Sequence, residues 1–335
     1  QVPVKGKNKL MVLLEENSEI LNDVVVVGYG VQKKATLSGA VTSVKGEDLV
    51  KSPVTNVSNG LAGRLPGVFA ISNTAEPGYD GSTIRIRGVN TFGNAEPLVV
   101  VDGVPGRSLE RIDPSTIESL SVMKDASAAI YGAQAANGVI IITTKRGKQG
   151  KPTVDFSYNY GLSRPTTVPE MCNASEYATL LNEIDSYAGN TPRCVPADGS
   201  DPWSYPSTDW FAETLKDWSP QSNTNVSVSG GTERTRYFLS MSAKTQDGFY
   251  RHSATKYKQY DLRSNFDVNL AKGLDLTANL SGRLEDRKFP TRSSENIFRM
   301  LMRSKPNMPA YWPDGTPGPD IEFGDNPVVI CTDQT

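Results

Sequence analysis

The chain has 335 residues, of which 21% are charged and 37% hydrophobic, with a formal net charge of -2. The length fits roughly two domains, the composition is that of a folded chain, and the charge balance gives no electrostatic footprint for nucleic acid. No run of about 18 apolar residues occurs, so no membrane-crossing helix is expected, whereas a β-barrel would cross on alternating strands of about 10 residues.

In chain order, QVPVKGKNKL (1–10) is not a signal peptide, and any export signal is expected to have been removed or to lie outside this sequence. The first distinctive stretch is DVVVVGYG (23–30). A dinucleotide turn needs G-x-G-x-x-G between strand and helix, with an acidic residue about 20 positions on. Gly28, Gly30 and Asp48 meet part of this, but Lys33 occupies the third glycine position and ATLSGAVTSV (35–44) is β-prone rather than helical. The same residues suit an extended arm that adds itself to another sheet's edge. An ordinary internal strand is the remaining alternative.

Residues 31–150 alternate strand-like and helical runs and are expected to form a compact α/β domain. The strand-like runs are 40–44, 67–71, 82–88, 97–103, 118–124 and 137–147. Helices are expected over 56–65 and over DASAAIYG (125–132), capped by Asp125 and stopped by Gly132, with a helical turn after Asp113-Pro114. The connections SNTAEPGYDG (72–81) and NTFGNAE (90–96) are polar and Gly-rich, which marks them as contact loops or as plain surface.

After Lys151-Pro152 the pattern changes to strict alternation. Val154, Phe156, Tyr158 and Tyr160 share one face of a strand, and Asp155, Ser157 and Asn159 share the other. The runs 225–231, 236–244, 260–270 and 274–286 repeat the pattern, the last setting Leu274, Leu276, Leu280 and Leu284 against Asp275, Arg283 and Glu285. Short links at 231–233 and 271–273 alternate with long ones at 162–223, 246–256 and 287 onward. Long strands, apolar-out alternation and short turns on one side describe a membrane barrel. A soluble sandwich with one wet face is the alternative. Five strands cannot close a barrel, so the rest is expected beyond Thr335 or in another chain.

Catalytic chemistry has little to work with. His252 is the single histidine, in the polar stretch YRHSATK without a nucleophile motif. Cys172, Cys194 and Cys331 lack CxxC spacing, so no metal site is expected. Cys172 and Cys194 flank a loop-like region and would pair in an oxidising compartment, or else remain thiols.

Four stretches then carry a resemblance: DVVVVGYG, RIRGVNTFGNAEPLVVVDGVP (85–105), IESLSVMKDASAAIYGAQAANGVIIITTKRG (117–147) and NVSVSGGTERTRYFLSMSAKTQDG (225–248). In this order they resemble SusC-like TonB-dependent outer-membrane transporters. The resemblance implies an α/β plug domain followed by the first strands of a large antiparallel transmembrane β-barrel of about 22 strands, mainly β overall. Residues 1–22 would close a carboxypeptidase-regulatory-like domain and linker, 23–30 would be the TonB box, 31–150 the plug, and 151–335 the start of the barrel. Asp23, Val24, Val25, Val26, Val27, Gly28, Tyr29 and Gly30 match the TonB box, which pairs as a strand with the energy-transducing protein TonB. Arg85 and Arg87, with Lys124 at a second basic position, match plug cations that pair with carboxylates on the barrel wall. Glu76, Tyr79, Asp80, Asn90, Phe92, Asn94 and Arg107 would floor the substrate cavity, while Asp102 would shape a turn.

The same resemblance implies a SusD-like surface lipoprotein as a lid, outer-membrane lipid around the barrel, and import of an oligosaccharide or oligopeptide with neither cofactor nor enzymatic step. A siderophore or vitamin receptor is the alternative within the family. A surface adhesion or structural β-protein is the alternative outside it.

Overall fold

The computed structural model describes residues 24–27, 30–33, 41–51, 56–72, 74, 76–89, 91, 93–124, 126–191, 206–322 and 324–332. Strand β1 (Val24–Val27) pairs antiparallel with β2 (Gly30–Lys33), from Val24 opposite Lys33 to Val27 opposite Gly30. Four consecutive β-branched residues favour the extended state, which is why this stretch is a strand. Asp23, Gly28 and Tyr29 lie outside the described residues.

The plug is built on a five-stranded mixed sheet in the order β3 (Val41–Lys45), β8 (Ile117–Met123), β9 (Val139–Thr144), β6 (Leu98–Val101) and β7 (Val104–Pro105). Only β6 and β9 run parallel. The run VIIITT of β9 is buried on both faces, which explains its unbroken apolar character. One face of the sheet packs Leu120 and Ile142 with Leu49, Leu61, Ile84 and Ile117. The other packs Val100, Met123, Val139 and Ile141 with Ala128 and Ala135. A hairpin of β4 (Val68–Ser72) and β5 (Ser82–Ile86) completes the module.

Three local features differ from the sequence reading. Helix α1 (Gly46–Val50) follows β3 directly, with Glu47 and Asp48 in its first turn, a placement the helix dipole favours. Helix α2 is shorter than 56–65: it covers Val57–Gly60, and the Asn56 carboxamide accepts from the Ser58 N–H at 3.1 Å. Residues 126–131 form a 3-10 turn rather than an α-helix, bounded by Gly132 at φ 77.

The second sheet is a five-stranded antiparallel meander of β10 (Gly150–Ser163), β11 (Ser219–Gly231), β12 (Thr235–Asp247), β13 (Lys256–Ala271) and β14 (Leu274–Lys288). These strands have 13 to 16 residues, enough to cross a bilayer at a tilt. Residues 232–234 and 272–273 make short turns at one end. The opposite end carries everything long: 164–218 with α3 (Ala174–Tyr187) and α4 (Trp210–Thr214), then 248–255, then α5 (Ser294–Arg303) and α6 (Pro327–Thr332). There Trp210, Tyr250, Ile297, Leu301, Ile321 and Cys331 form a core of their own. Burial pushes the Cys331 thiol up to about 12, so it stays protonated.

The distribution of polarity across this wall is inverted relative to a water-soluble sheet. Val154 is 68% exposed and Leu284 67%, while Ser240, Ser242, Lys244, Gln259 and Asn265 are buried against the plug. Among the described residues no second layer covers the leucine side. The hydrophobic effect would penalise that exposed face in water. It is suited to hydrocarbon.

Candidate functional site

The site grows from the way the plug meets the inward row of β13 and β14. Alternation along β13 turns Tyr257, Gln259, Asp261, Arg263, Asn265 and Asp267 to the same side. The plug meets this row at successive levels, beginning at the long-loop end. Here the Arg287 guanidinium lies 5.1 Å from the Tyr79 ring and 5.2 Å from the Tyr257 ring. Tyr79 also packs on Phe289 at 5.4 Å. Arg287 is held by Glu285 at 2.7 Å, so the stacked cation is also ion-paired.

Gly78 makes this contact feasible. Its φ is 75, and a Cβ placed on it would lie 2.6 Å from the Tyr257 ring. Gly78→Val should therefore undock the 74–81 loop at a cost of about 1–3 kcal/mol. Limited proteolysis would detect it as faster cleavage within 74–81; an unchanged cleavage rate would refute the contact.

Further along, Arg283 binds Asp261 at 2.6 Å and donates to the Glu110 carbonyl at 2.9 Å. Ser242 donates to the Asp113 carboxylate. Arg263 then approaches Asp102 at 3.6 Å, with only 13% and 6% of the two side chains exposed. Asp102 adopts φ 48 and accepts from the Thr144 N–H at 2.9 Å and the Thr144 hydroxyl at 2.7 Å. Asn265 donates to Thr144 Oγ1 at 2.9 Å and to the Lys145 carbonyl at 2.8 Å. Arg146 pairs with Asp267 at 2.5 Å. The seam is thus a row of charged and amide contacts, much of it shielded from solvent, where each bond gains strength from the low dielectric.

Beside the seam, on the plug, opens a cavity of about 680 Å³ whose lining includes Thr74, Tyr79, Asn94, Glu96, Arg107 and Glu110. It offers one guanidinium, two carboxylates, an amide and an aromatic face. That set suits a polar ligand with hydroxyl, amide or charged groups. A second cavity, of about 430 Å³, runs along the seam between Arg107, Arg111, Asp113, Asp261, Arg263 and Arg283.

The sequence-derived ligand contacts divide accordingly. Tyr79, Asn94 and Arg107 line the larger cavity. Glu76 and Asp80 lie in the same loop but outside the lining: the Glu76 carbonyl accepts from Tyr79 N–H at 2.9 Å and the Asp80 carbonyl from Asn59 at 2.7 Å. Asn90 and Phe92 lie outside the described residues. Glu96 and Glu110 escaped the sequence reading, the first at the margin of a loop and the second in a short 3-10 turn that gave no periodic signal.

Two of the cations singled out for plug–wall pairing reach backbone carbonyls within the plug. Arg85 donates to the Ile84 carbonyl at 3.1 Å, and Lys124 donates to the Pro66 carbonyl. Arg87 takes φ 59, with its N–H on the Gly67 carbonyl at 2.9 Å. On the described wall the polarity is reversed at two levels, where the plug supplies the carboxylates of Asp102 and Asp113. Asp102, read as a turn former, is both turn former and seam residue. Cys172 is half-buried, and its suggested partner Cys194 lies outside the described residues. Among those residues no cluster of metal-binding side chains occurs.

Comparison with known proteins agrees with this architecture. Residues 33–139 match the TonB-dependent Receptor Plug Domain. A TonB-dependent receptor of Formosa agariphila is 33% identical over 94% of this chain and 31% of its own length. The TonB-dependent receptor SusC of Bacteroides thetaiotaomicron is 31% identical over 98% of this chain and 34% of its own. Among solved structures, the RagAB peptide importer in its open-open state superposes with a TM-score of 0.75 at 27% identity, covering 91% of this chain and 38% of that one. The chain therefore spans about a third of the length of the curated relatives it matches. With an α/β module seated on the polar side of a wall whose far side is apolar, the chain carries the plug domain and first barrel strands of a SusC-like TonB-dependent receptor.

Proposed function

We propose that the protein imports a nutrient, an oligosaccharide or an oligopeptide, across the outer membrane with energy delivered through TonB. The observation that carries this reading is the inverted wall, apolar outward and polar inward, with a folded module held on its inner face by breakable polar contacts. A permanent scaffold would gain more from an apolar interface, since buried ion pairs add little net stability.

In this reading the substrate enters from the long-loop end and rests on Tyr79, Asn94 and Arg107, with Glu96 and Glu110 beside them. A SusD-like lipoprotein closes over it, using the loop module around α3 and α5 as its seat. Residues 23–30 then offer a strand to TonB on the other side of the membrane, and force along that strand opens the seam. Arg85, Arg87 and Lys124 are kept as the cations that would meet carboxylates on other parts of the wall. No covalent step is involved, and the chain's own residues need only bind, hold and release.

The test is physiological. A deletion strain should lose growth on part of a panel of purified glycans and oligopeptides, and complementation should restore it. Uptake in the restored strain should stop when the proton-motive force is collapsed. Energy-independent uptake would instead indicate a passive pore.

A further inference from the structure

Lys244, on β12, is 4% exposed, and among the described residues no other lysine is buried. An ammonium group leaves water to this extent only where carboxylates compensate it. Its surroundings supply them. Two residues back on β12, on the same face, Ser242 donates to the Asp113 carboxylate of the plug. On the next strand Gln259 stands opposite Lys244, and Asp261 stands opposite Ser242. The long lysine stem can span both spacings, each about 7 Å. The carboxylates of Asp113 and then Asp261 act on its charge most strongly, ahead of Arg283 and Asp80.

The same place brings two acids together. The Ser242 hydroxyl bonds Asp113 and lies 3.4 Å from the Asp261 carboxylate. A plug carboxylate and a wall carboxylate thus meet at one hydroxyl, an arrangement that repels unless cations balance it. At these levels of the seam three carboxylates face three wall cations. Arg263 approaches Asp102 at 3.6 Å, and Arg283 binds Asp261 at 2.6 Å. Arg263 also acts on Asp113, though less than on Asp102. The other oxygen of Asp113 accepts from the Ser115 N–H at 2.9 Å and the Ser115 hydroxyl at 2.8 Å, both uncharged donors. The cation left to balance Asp113 is Lys244.

We propose that Lys244 is a positioning residue for the plug: its buried charge balances the carboxylate that Asp113 brings against Asp261, and so keeps the module seated until force is applied. Removing that charge leaves two carboxylates facing each other across the seam with one cation fewer, in surroundings that screen poorly. Neutralising Asp113 as well restores the balance, with Arg283 on Asp261 and no charge left over. The inference rests on the reading of the seam as the plug's seat.

The variants would be made in the full-length receptor and read by the vancomycin concentration that stops growth. The folded amount would be followed from the mobility of the unheated barrel in gels. Lys244→Met should lower the inhibitory concentration on the order of ten-fold. Lys244→Met with Asp113→Asn should return it to the parental value, since asparagine still accepts from Ser115 and can donate to Ser242. Should Lys244→Met reduce the folded amount instead, the second substitution should recover it. A lysine needed only for packing would leave the double variant as impaired as the single one, and that result overturns the proposal. So does a parental value for Lys244→Met beside a lowered one for Arg263→Met. If both variants keep the parental value, the reading of the seam as the plug's seat falls as well.

Discussion

Cells producing the protein without residues 23–30 should bind substrate at the surface as the parent does and show uptake at background level. The expected loss is complete because those residues are the proposed point at which force enters. Among the described residues strand β1, four valines long, pairs only with β2, in a two-stranded sheet. An isolated hairpin is marginally stable in water, so exchanging this pairing for a longer one with a partner costs little. Binding should survive because the residues lining the plug cavity fall within 58–140, clear of the deleted arm. Val25→Pro provides a milder version, since it removes one backbone donor from the strand and disfavours a ladder there. Parallel measurement of labelled substrate bound and internalised separates the outcomes, and energised uptake by the deletion would refute the role of the arm.

Breaking the Asp102–Arg263 contact should loosen the plug by about 2–4 kcal/mol, near the lower part of the range for disrupted buried pairs. The lower part is appropriate because the separation is 3.6 Å and Asp102 keeps Thr144 as a second partner. Asp102→Asn is the informative replacement. Asn tolerates the φ of 48 at this turn, so the change removes charge without asking the backbone to move. Arg263→Met keeps length and removes the cation from the other side. The two single effects should exceed additivity by roughly 0.5–3 kcal/mol in a double-mutant cycle read by denaturant unfolding. In cells, both single variants should admit large antibiotics that the parent excludes. Strict additivity would mean that the two groups do not interact.

Much of the architecture was legible in the sequence because the physics there is periodic. Alternation in 154–160 and 274–284 identified both the strands and the side on which the leucines lie, and the long-loop end followed from spacing alone. The run 137–147 was recognised as strand-like, and its unbroken apolar stretch VIIITT proves to be covered on both faces. What stayed hidden was non-periodic. Helix α1 is a single turn after β3, too short to show a stripe, and α3 sits in a stretch whose polar residues looked like loop. The seam escaped for a different reason. A buried aspartate such as Asp102 has the same letter as a surface one, and only the fold brings it to Arg263, 161 positions away. Basic residues near known motifs drew attention first, although on these five strands the plug contributes acids as well as Arg146. Tyr79, Asn94 and Arg107 came from the resemblance, and the fold places all three in the lining of the plug cavity. Glu110 lay in a short 3-10 turn without a periodic signal.

The link between β9 and β10 has a mechanical meaning. The plug's final strand ends at Thr144 and the wall begins at Gly150. Even fully straightened, those intervening residues reach only about 20 Å. The stopper is therefore on a very short chain, and its near side is riveted to the frame through Arg146 and Asn265. Motion of the whole module would resemble a door swinging on its jamb more than a cork leaving a bottle, with the passage appearing along the margin farthest from β10.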